Sequence, residues 1–350
     1  MVAHKVGKRV MTPPNTGELM PSGAEIVQPE RPLVALAPMS GVTDLPFRRI
    51  AHRLGAPIVV SEMIASEELV KNRADVVRRA EGRELSPFVI QLAGREPHWM
   101  AEGARIAEGK GAEVIDINMG CPAKEVTGKL SGSALMRDLD HAQSLIKAVV
   151  EAVTVPVTLK MRLGWDMASL NASELARRAE AEGVTRLTVH GRTRCQFFTG
   201  TADWAAVAPV VAATSLPVLV NGDILTPSDA RAALKASGAA GVMVGRGAYG
   251  APWMPGRIAT DLATGADPGD PDRDTQRDLA LEHVEAMFSH YGGTLGIKNA
   301  RKHIGWYLIS SGCSEAEMKA WRRQLCTEWE PQNILDGLAE FYDRPEAMAA

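Results

Sequence analysis

The stretch EVIDIN, Glu113 to Asn118, running directly into Met119-Gly120-Cys121-Pro122-Ala123-Lys124, decides how the rest of the chain is read. A short run rich in β-branched apolar residues ends on an amide and gives way to a glycine, a thiol and a proline. That is the pattern of a strand handing over to a loop. Seven more runs share it: LVALA (33–37), PIVV (57–60), PFVIQL (87–92), PVTLKM (156–161), TRLTVH (185–190), PVLVN (217–221) and AGVMVG (240–245). Between them lie stretches with helical periodicity, among them 97–110, 140–153, 173–183 and 226–237.

Apolar runs with little polar alternation suit parallel strands covered on both faces. Eight βα units predict an α/β fold, a (β/α)8 TIM barrel, with an open doubly wound sheet as the competitor. A stretch rich in Asp, Gly and Pro then reads as a linker at 264–274, and 275–350 reads as a small all-helical C-terminal domain. Residues 1–30 read as a flexible tail, 31–263 as the barrel domain.

Length and composition bound the function. At 350 residues and net charge −3, with 39 Lys+Arg against 42 Asp+Glu, any surface for a polyanion must be local. The four cysteines lie far apart without metal-ligand spacing, so no metal is expected and the thiols read as reduced, in the cytoplasm. No run of about 18 apolar residues announces a membrane span. A monomer is expected.

In a barrel of this kind the chemistry sits at the carboxyl ends of the strands. The runs end on or beside Met39-Ser40, Ser61-Glu62, Gln91, Asn118, Lys160 and Arg162, His190 and Arg192, Asn221 and Asp223, and Gly245-Arg246. The last two strand ends, NGD (221–223) and GRG (245–247), with Thr226-Pro227 and Ala248 opening the next helices, suggest a phosphate site, although a tight turn would read the same. Lys160 suits a ligand that gains negative charge, or else an ion pair with Asp116 or Glu62. His190 is a ligand neighbour or a satisfied core histidine. Gln91 and the turn Pro38-Met39-Ser40 could orient a planar heterocycle. Cys121, on a glycine-spaced loop (119–135), has no visible activating base. A thiol without such a base is mostly protonated at neutral pH and suits a proton donor better than a nucleophile.

These residues, in order, resemble the tRNA-dihydrouridine synthases, in their bacterial B-type branch. The matching segments are APMSGVTDLPFRR (37–49), VSEMIAS (60–66), QLAG (91–94), IDINMGCPAKEVTGKLSGSALM (115–136), VTLKMRLGW (157–165), LTVHGRTR (187–194), NGDI (221–224), VGRGAYGAPW (244–253) and ARKHIGWYL (300–308). The resemblance implies an enzyme that uses FMN, with NADPH as reductant, to reduce the C5=C6 bond of D-loop uridines in tRNA. Pro38, Met39, Ser40, Gln91, Lys160 and His190 would face the flavin ring. Asn221, Gly222, Asp223, Gly245 and Arg246 would surround its phosphate. Cys121 would donate the proton, and Asn118, Arg162 and Arg192 would hold the uracil.

On the segment near 297–308, Lys298, Arg301 and Lys302 share one side at helical spacing, with Gly305 inside the same stripe. Behind the RKHxxWYL match they are expected to meet tRNA phosphates. The region is nonetheless acidic, with 8 Lys+Arg against 12 Asp+Glu from residue 274 onward. The alternative function is an FMN-dependent reductase or dehydrogenase of a small pyrimidine, similar to the dihydroorotate dehydrogenases. A tRNA-binding protein with a vestigial site is a third reading.

Overall fold

The computed structural model describes residues 32–128 and 130–344, with no account of the Glu125 side chain; the expected tail at 1–30 lies outside the described residues. Nine parallel strands follow one another: β1 (Leu33–Leu36), β2 (Ile58–Val60), β3 (Ile64–Ala65), β4 (Phe88–Ala93), β5 (Val114–Met119), β6 (Val157–Arg162), β7 (Arg186–His190), β8 (Val218–Asn221) and β9 (Gly241–Val244). The order β2-β1-β9-β8-β7-β6-β5-β4 closes on itself because β2 also pairs with β4, while the short β3 continues beside the end of β4. The eight predicted runs are therefore the eight staves of a TIM barrel, and the helices Pro97–Gly109, Leu139–Val150, Ala172–Ala181 and Pro227–Ser237 are among those that cover it.

The strands alternate more than their sequences suggest. Side chains at every second position point outward to the helices: Ile115, Ile117, Leu159, Met161, Leu187 and Val189 belong to the main apolar core. The intervening positions point into the barrel. Some of these are apolar, with Ala35, Ile58, Val89, Leu219 and Met243 in a separate small core. On β4 to β8 polar ones join them: Gln91, Asp116, Asn118, Thr158, Lys160, Thr188, His190 and Asn221 are all buried. The expectation of nearly unbroken apolar strands therefore fails on the inner face of β4 to β8.

Two local features differ from the sequence reading. Thr226 caps the helix Pro227–Ser237 with a reciprocal box involving Asp229, as expected of a helix start, but Ala248 closes a 3-10 turn (Arg246–Ala248) and the following helix begins only at Met254. The segment 119–135 is not all loop: it holds a helical turn, Lys124–Thr127, and the start of the 3-10 stretch Gly132–Arg137.

Beyond the barrel, Arg257 forks to Asp267 and Asp270 and so ties down the connecting stretch. Four helices follow, Arg273–Tyr291, Gly293–Ser310, Glu315–Thr327 and Pro331–Asp343, around a core of their own that includes Val284, Ile304, Tyr307, Trp321, Leu338 and Phe341. They lie against the barrel's first helix, Leu45–Arg53, where Phe47 meets His283 edge-on at 5.4 Å. Nearby, Tyr249 stacks on Trp306 with ring centroids 3.9 Å apart. Gly250, at φ +66°, lies so close to the Trp306 carbonyl that a side chain there would collide with it. Among the described residues no helix is long and apolar enough to cross a membrane.

Candidate functional site

A cavity of about 530 Å³ opens at the carboxyl ends of the strands. Pro38, Met39, Ser40, Gln91, Asn118, Cys121, Lys160, Arg162, His190, Asn221, Gly222, Asp223, Gly245 and Arg246 all line it, from seven separate strand ends. Arg192, Lys298, Arg301 and Lys302 do not.

The floor is a connected set of side-chain hydrogen bonds. Thr158 and Gln91 donate to the two carboxylate oxygens of Asp116 at 2.6 and 2.7 Å. Asn118 donates to the Gln91 oxygen at 2.7 Å, and its own oxygen accepts from the backbone N–H of Cys121 at 3.0 Å. Burial raises the Asp116 pKa, and the two donors oppose that shift. One buried carboxylate thus orients Gln91, Gln91 orients Asn118, and Asn118 sets the backbone on which the Cys121 thiol is carried.

Lys160 is not paired with either acid considered for it. Its ammonium donates to the neutral Asn221 oxygen at 3.0 Å, and Asn221 in turn donates to the Met243 carbonyl at 2.8 Å. Burial, reinforced by Arg162, pulls Lys160 down to about 8. His190 is held well below its ordinary pKa, first by burial and then by Arg162, Lys160, Arg192 and Arg246. It is a neutral imidazole whose Nδ1 is buried without a hydrogen-bond partner. Among the described residues Lys160 thus has no carboxylate in direct contact, and Asp116 acts on it only at a distance.

At one end of the cavity Asp223, itself at φ +51°, receives Arg246 at 2.6 Å and Arg192 at 3.1 Å. Arg246 remains 45% exposed on its side chain, so it has nitrogens to spare. Gly222, at φ +115°, passes close to His190, and a Cβ there would lie 3.2 Å from the ring.

The arginines expected to hold a uracil also make structural contacts. Arg162 lines the cavity, yet it donates to the carbonyls of Gly120, Thr193 and Phe197 at 2.8, 2.8 and 2.9 Å. Arg192 lies behind Asp223 and donates to the Thr199 carbonyl at 3.1 Å and the Gly200 carbonyl at 2.5 Å. Both hold the loop after β7. Buried guanidinium groups need several acceptors, and backbone carbonyls supply them.

Cys121 is partly buried, and its carbonyl accepts from both the N–H and the hydroxyl of Ser133 at 3.0 and 2.9 Å. This return of the chain requires Gly132, whose φ is +59° and where a Cβ would lie 2.8 Å from the Cys121 oxygen. Sequence reasoning missed Phe197, Phe198 and Tyr249 at the cavity wall. The signal available was an FF pair inside a polar loop of a chain with only 6 phenylalanines.

The proposed basic stripe is divided. Lys298 is exposed and Arg301 half-buried, and both lie near Trp329, with the Arg301 guanidinium 4.2 Å from the ring centroid. Lys302 turns toward the barrel instead, where a Cβ on Gly41 would lie 2.6 Å from its ammonium, and Asp44 and Glu62 are its nearby acids. Gly305 is buried near Arg322 rather than open on a basic face. Among the described residues no cluster of His, Cys, Asp and Glu could hold a metal ion.

The family model described as dihydrouridine synthase (Dus) matches residues 35–343. A probable tRNA-dihydrouridine synthase of Rhodobacter capsulatus is 53% identical over 318 residues, 90% of this chain and 96% of that protein. A probable tRNA-dihydrouridine synthase of Rhizobium leguminosarum is 55% identical over 275 residues, 79% of this chain and 84% of its own length. The tRNA-dihydrouridine synthase B of Xanthomonas campestris is 48% identical over 277 residues, 79% of this chain and 83% of its own. With the cavity at the strand ends and a matching family model over nearly the whole barrel and the helices behind it, the chain belongs to the dihydrouridine synthase family of enzymes.

Proposed function

We propose that this protein reduces the C5=C6 bond of D-loop uridines in tRNA to give dihydrouridine, with FMN held in the barrel mouth and NADPH as reductant. The observation that carries the reading is the buried Lys160 ammonium, which meets only a neutral amide oxygen and shares its cavity with the Cys121 thiol. A site built this way favours a ligand that becomes anionic and a reaction that needs a proton.

The residues fit FMN. Lys160 would supply a cation for the edge of a reduced flavin, and Arg246 with the Gly222 and Gly245 backbone would offer room and charge for a phosphate. Bound there, a flavin would supply hydride chemistry, with NADPH as the source of the hydride that reaches uracil C6. Cys121 donates its proton to C5, so the two new C–H bonds replace the double bond, and solvent later reprotonates the sulfur. Arg162 and Lys160 are close enough to interact electrostatically with that sulfur while it is a thiolate. Pro38, Met39 and Ser40 wall the ring's site, and Asn118 acts through the backbone of Cys121.

The uridine must leave its stack to reach this depth. In this proposal residues 31–263 form the catalytic domain and 275–350 the tRNA-binding domain, with Lys298 and Arg301 as the phosphate contacts. Lys302 serves the seam between the two. A monomer working in the cytoplasm is part of the same reading.

The test is mass-spectrometric mapping of tRNA lacking dihydrouridine after incubation with the protein, FMN and NADPH. A gain of two hydrogens at a D-loop uridine is expected. In Cys121→Ala, turnover should fall by about 10² to 10⁴ while flavin absorbance is retained. NADPH oxidation supported by a free pyrimidine but not by tRNA would replace this reading with the small-pyrimidine one.

A further inference from the structure

The loop after β7 presents two aromatic rings that the reaction itself does not call for. Phe197 and Phe198 are 40% and 46% exposed, although most large apolar side chains of the barrel are buried. They meet edge-on with centroids 4.9 Å apart, and both line the mouth of the cavity. Phe197 adopts φ +53°, a conformation that a bulky residue takes only when its surroundings hold it there.

Those surroundings are unusual. Arg162 and Arg192, 2% and 1% exposed, donate to the carbonyls of Thr193, Phe197, Thr199 and Gly200, so two buried cations bracket the loop on either side of Phe198. Burying guanidinium groups merely to leave two phenylalanines facing solvent is costly unless the rings have a ligand. The charge around them indicates its kind. Arg246 and Arg162 each lie 5.5 Å from the Phe198 ring, and Arg246 is partly free toward solvent. An aromatic face lying against guanidinium groups is the combination on which unpaired nucleic-acid bases stack.

We propose that Phe197 and Phe198 form a rigid stacking platform for the unpaired nucleotide next to the uridine being reduced. The inference rests on the tRNA reading above and specifies how the loop is held open. The reduced uridine itself belongs deeper, at the level of Lys160 and Cys121, whereas the two rings stand at the rim. Stacking there replaces the contact that the neighbouring base loses when the uridine swings out.

The test compares wild type, Phe198→Leu and Phe198→Tyr in steady-state dihydrouridine formation and in direct tRNA binding. Leucine keeps an apolar side chain of similar size and removes the aromatic face; tyrosine keeps the face. KM and Kd for tRNA should rise at least fivefold in Phe198→Leu and stay within twofold in Phe198→Tyr, with kcat at saturating tRNA changing less than KM. Equal KM and Kd in Phe198→Leu and wild type would overturn the platform while leaving the enzyme reading intact. A wild type that forms no dihydrouridine would overturn the reading on which the platform rests.

Discussion

At the barrel mouth Lys160, Arg162 and Arg192 are 9%, 2% and 1% exposed, and at the seam between the barrel and the C-terminal helices Asp44 and Glu62 are 2% and 4% exposed. Both regions bury charge, with opposite sign and opposite completeness. At the seam, Asp44 accepts from the Phe47 N–H at 3.1 Å and the Tyr291 hydroxyl at 3.0 Å, Glu62 accepts from the Gly41 N–H at 2.5 Å, and Lys302 lies alongside. The protein supplies its own countercharge there. At the mouth, Arg162 is held by carbonyls through its Nε and Nη1, Arg192 by carbonyls and Asp223, while Lys160 has only Asn221 as a hydrogen-bond partner. The seam is closed chemistry that fixes two parts of the molecule together; the mouth is unfinished until a ligand arrives.

Arg192→Ala should break the mouth's scaffold most severely, because it leaves the Thr199 and Gly200 carbonyls without this donor and Asp223 with only Arg246 and the Ala202 N–H. Losing one partner of a buried pair costs about 3 to 5 kcal/mol. Chemical denaturation should register that loss, and a variant of wild-type stability with poor uracil turnover would restore Arg192 as a substrate contact. Lys160→Met should leave stability nearly unchanged and weaken FMN by about 30-fold or more, read by flavin fluorescence titration. A large loss of stability instead would make Lys160 a structural cation like those of the seam.

Asp44 sharpens the comparison through pH. Burial raises it to about 6 from an ordinary 3.8, with Glu62 adding to the shift and Tyr291 and Arg48 opposing it. Between those values the folded state holds the proton more tightly than the unfolded one. The stabilisation is complete below the unfolded value and is lost as pH rises through the folded value. Asp44→Asn should therefore gain stability relative to wild type by about 1 to 3 kcal/mol between pH 5 and pH 8. Melting temperatures across that range check it; a constant difference would mean that Asp44 keeps an ordinary pKa. The smallest effect separates the two lysines of the supposed stripe. Lys298→Ala should reduce the slope of log Kd for tRNA against log salt by up to about 0.9, whereas Lys302→Ala should mainly lower the melting temperature. Equal salt slopes for both variants would return Lys302 to the tRNA face.

The comparison also explains what was legible. Eight strand ends could be counted from sequence, since a βα unit is a local pattern, and residues that end strands in a closed parallel barrel must share one rim. That is why Gln91, Asn118, Lys160, His190, Asn221 and Arg246 converge on one cavity although they are spread over more than 150 residues. The alternation of EVIDIN, with Asp116 and Asn118 facing inward, was visible as letters; that the inward face carries polar side chains on β4 to β8 but not on β1, β2 and β9 emerges from the barrel's closure.

Local sequence thus determined the strands, their order and the chemical types at the rim, because hydrophobic periodicity and turn chemistry act over a few residues. Only the tertiary structure decided which acceptors each charged side chain meets. It made Arg162 and Arg192 braces for the Phe197-Phe198 loop, and it set Lys302 beside the seam. The reason is physical: a buried cation goes to whichever carbonyls and carboxylates long-range packing brings within reach, and no spacing along the chain encodes that distance.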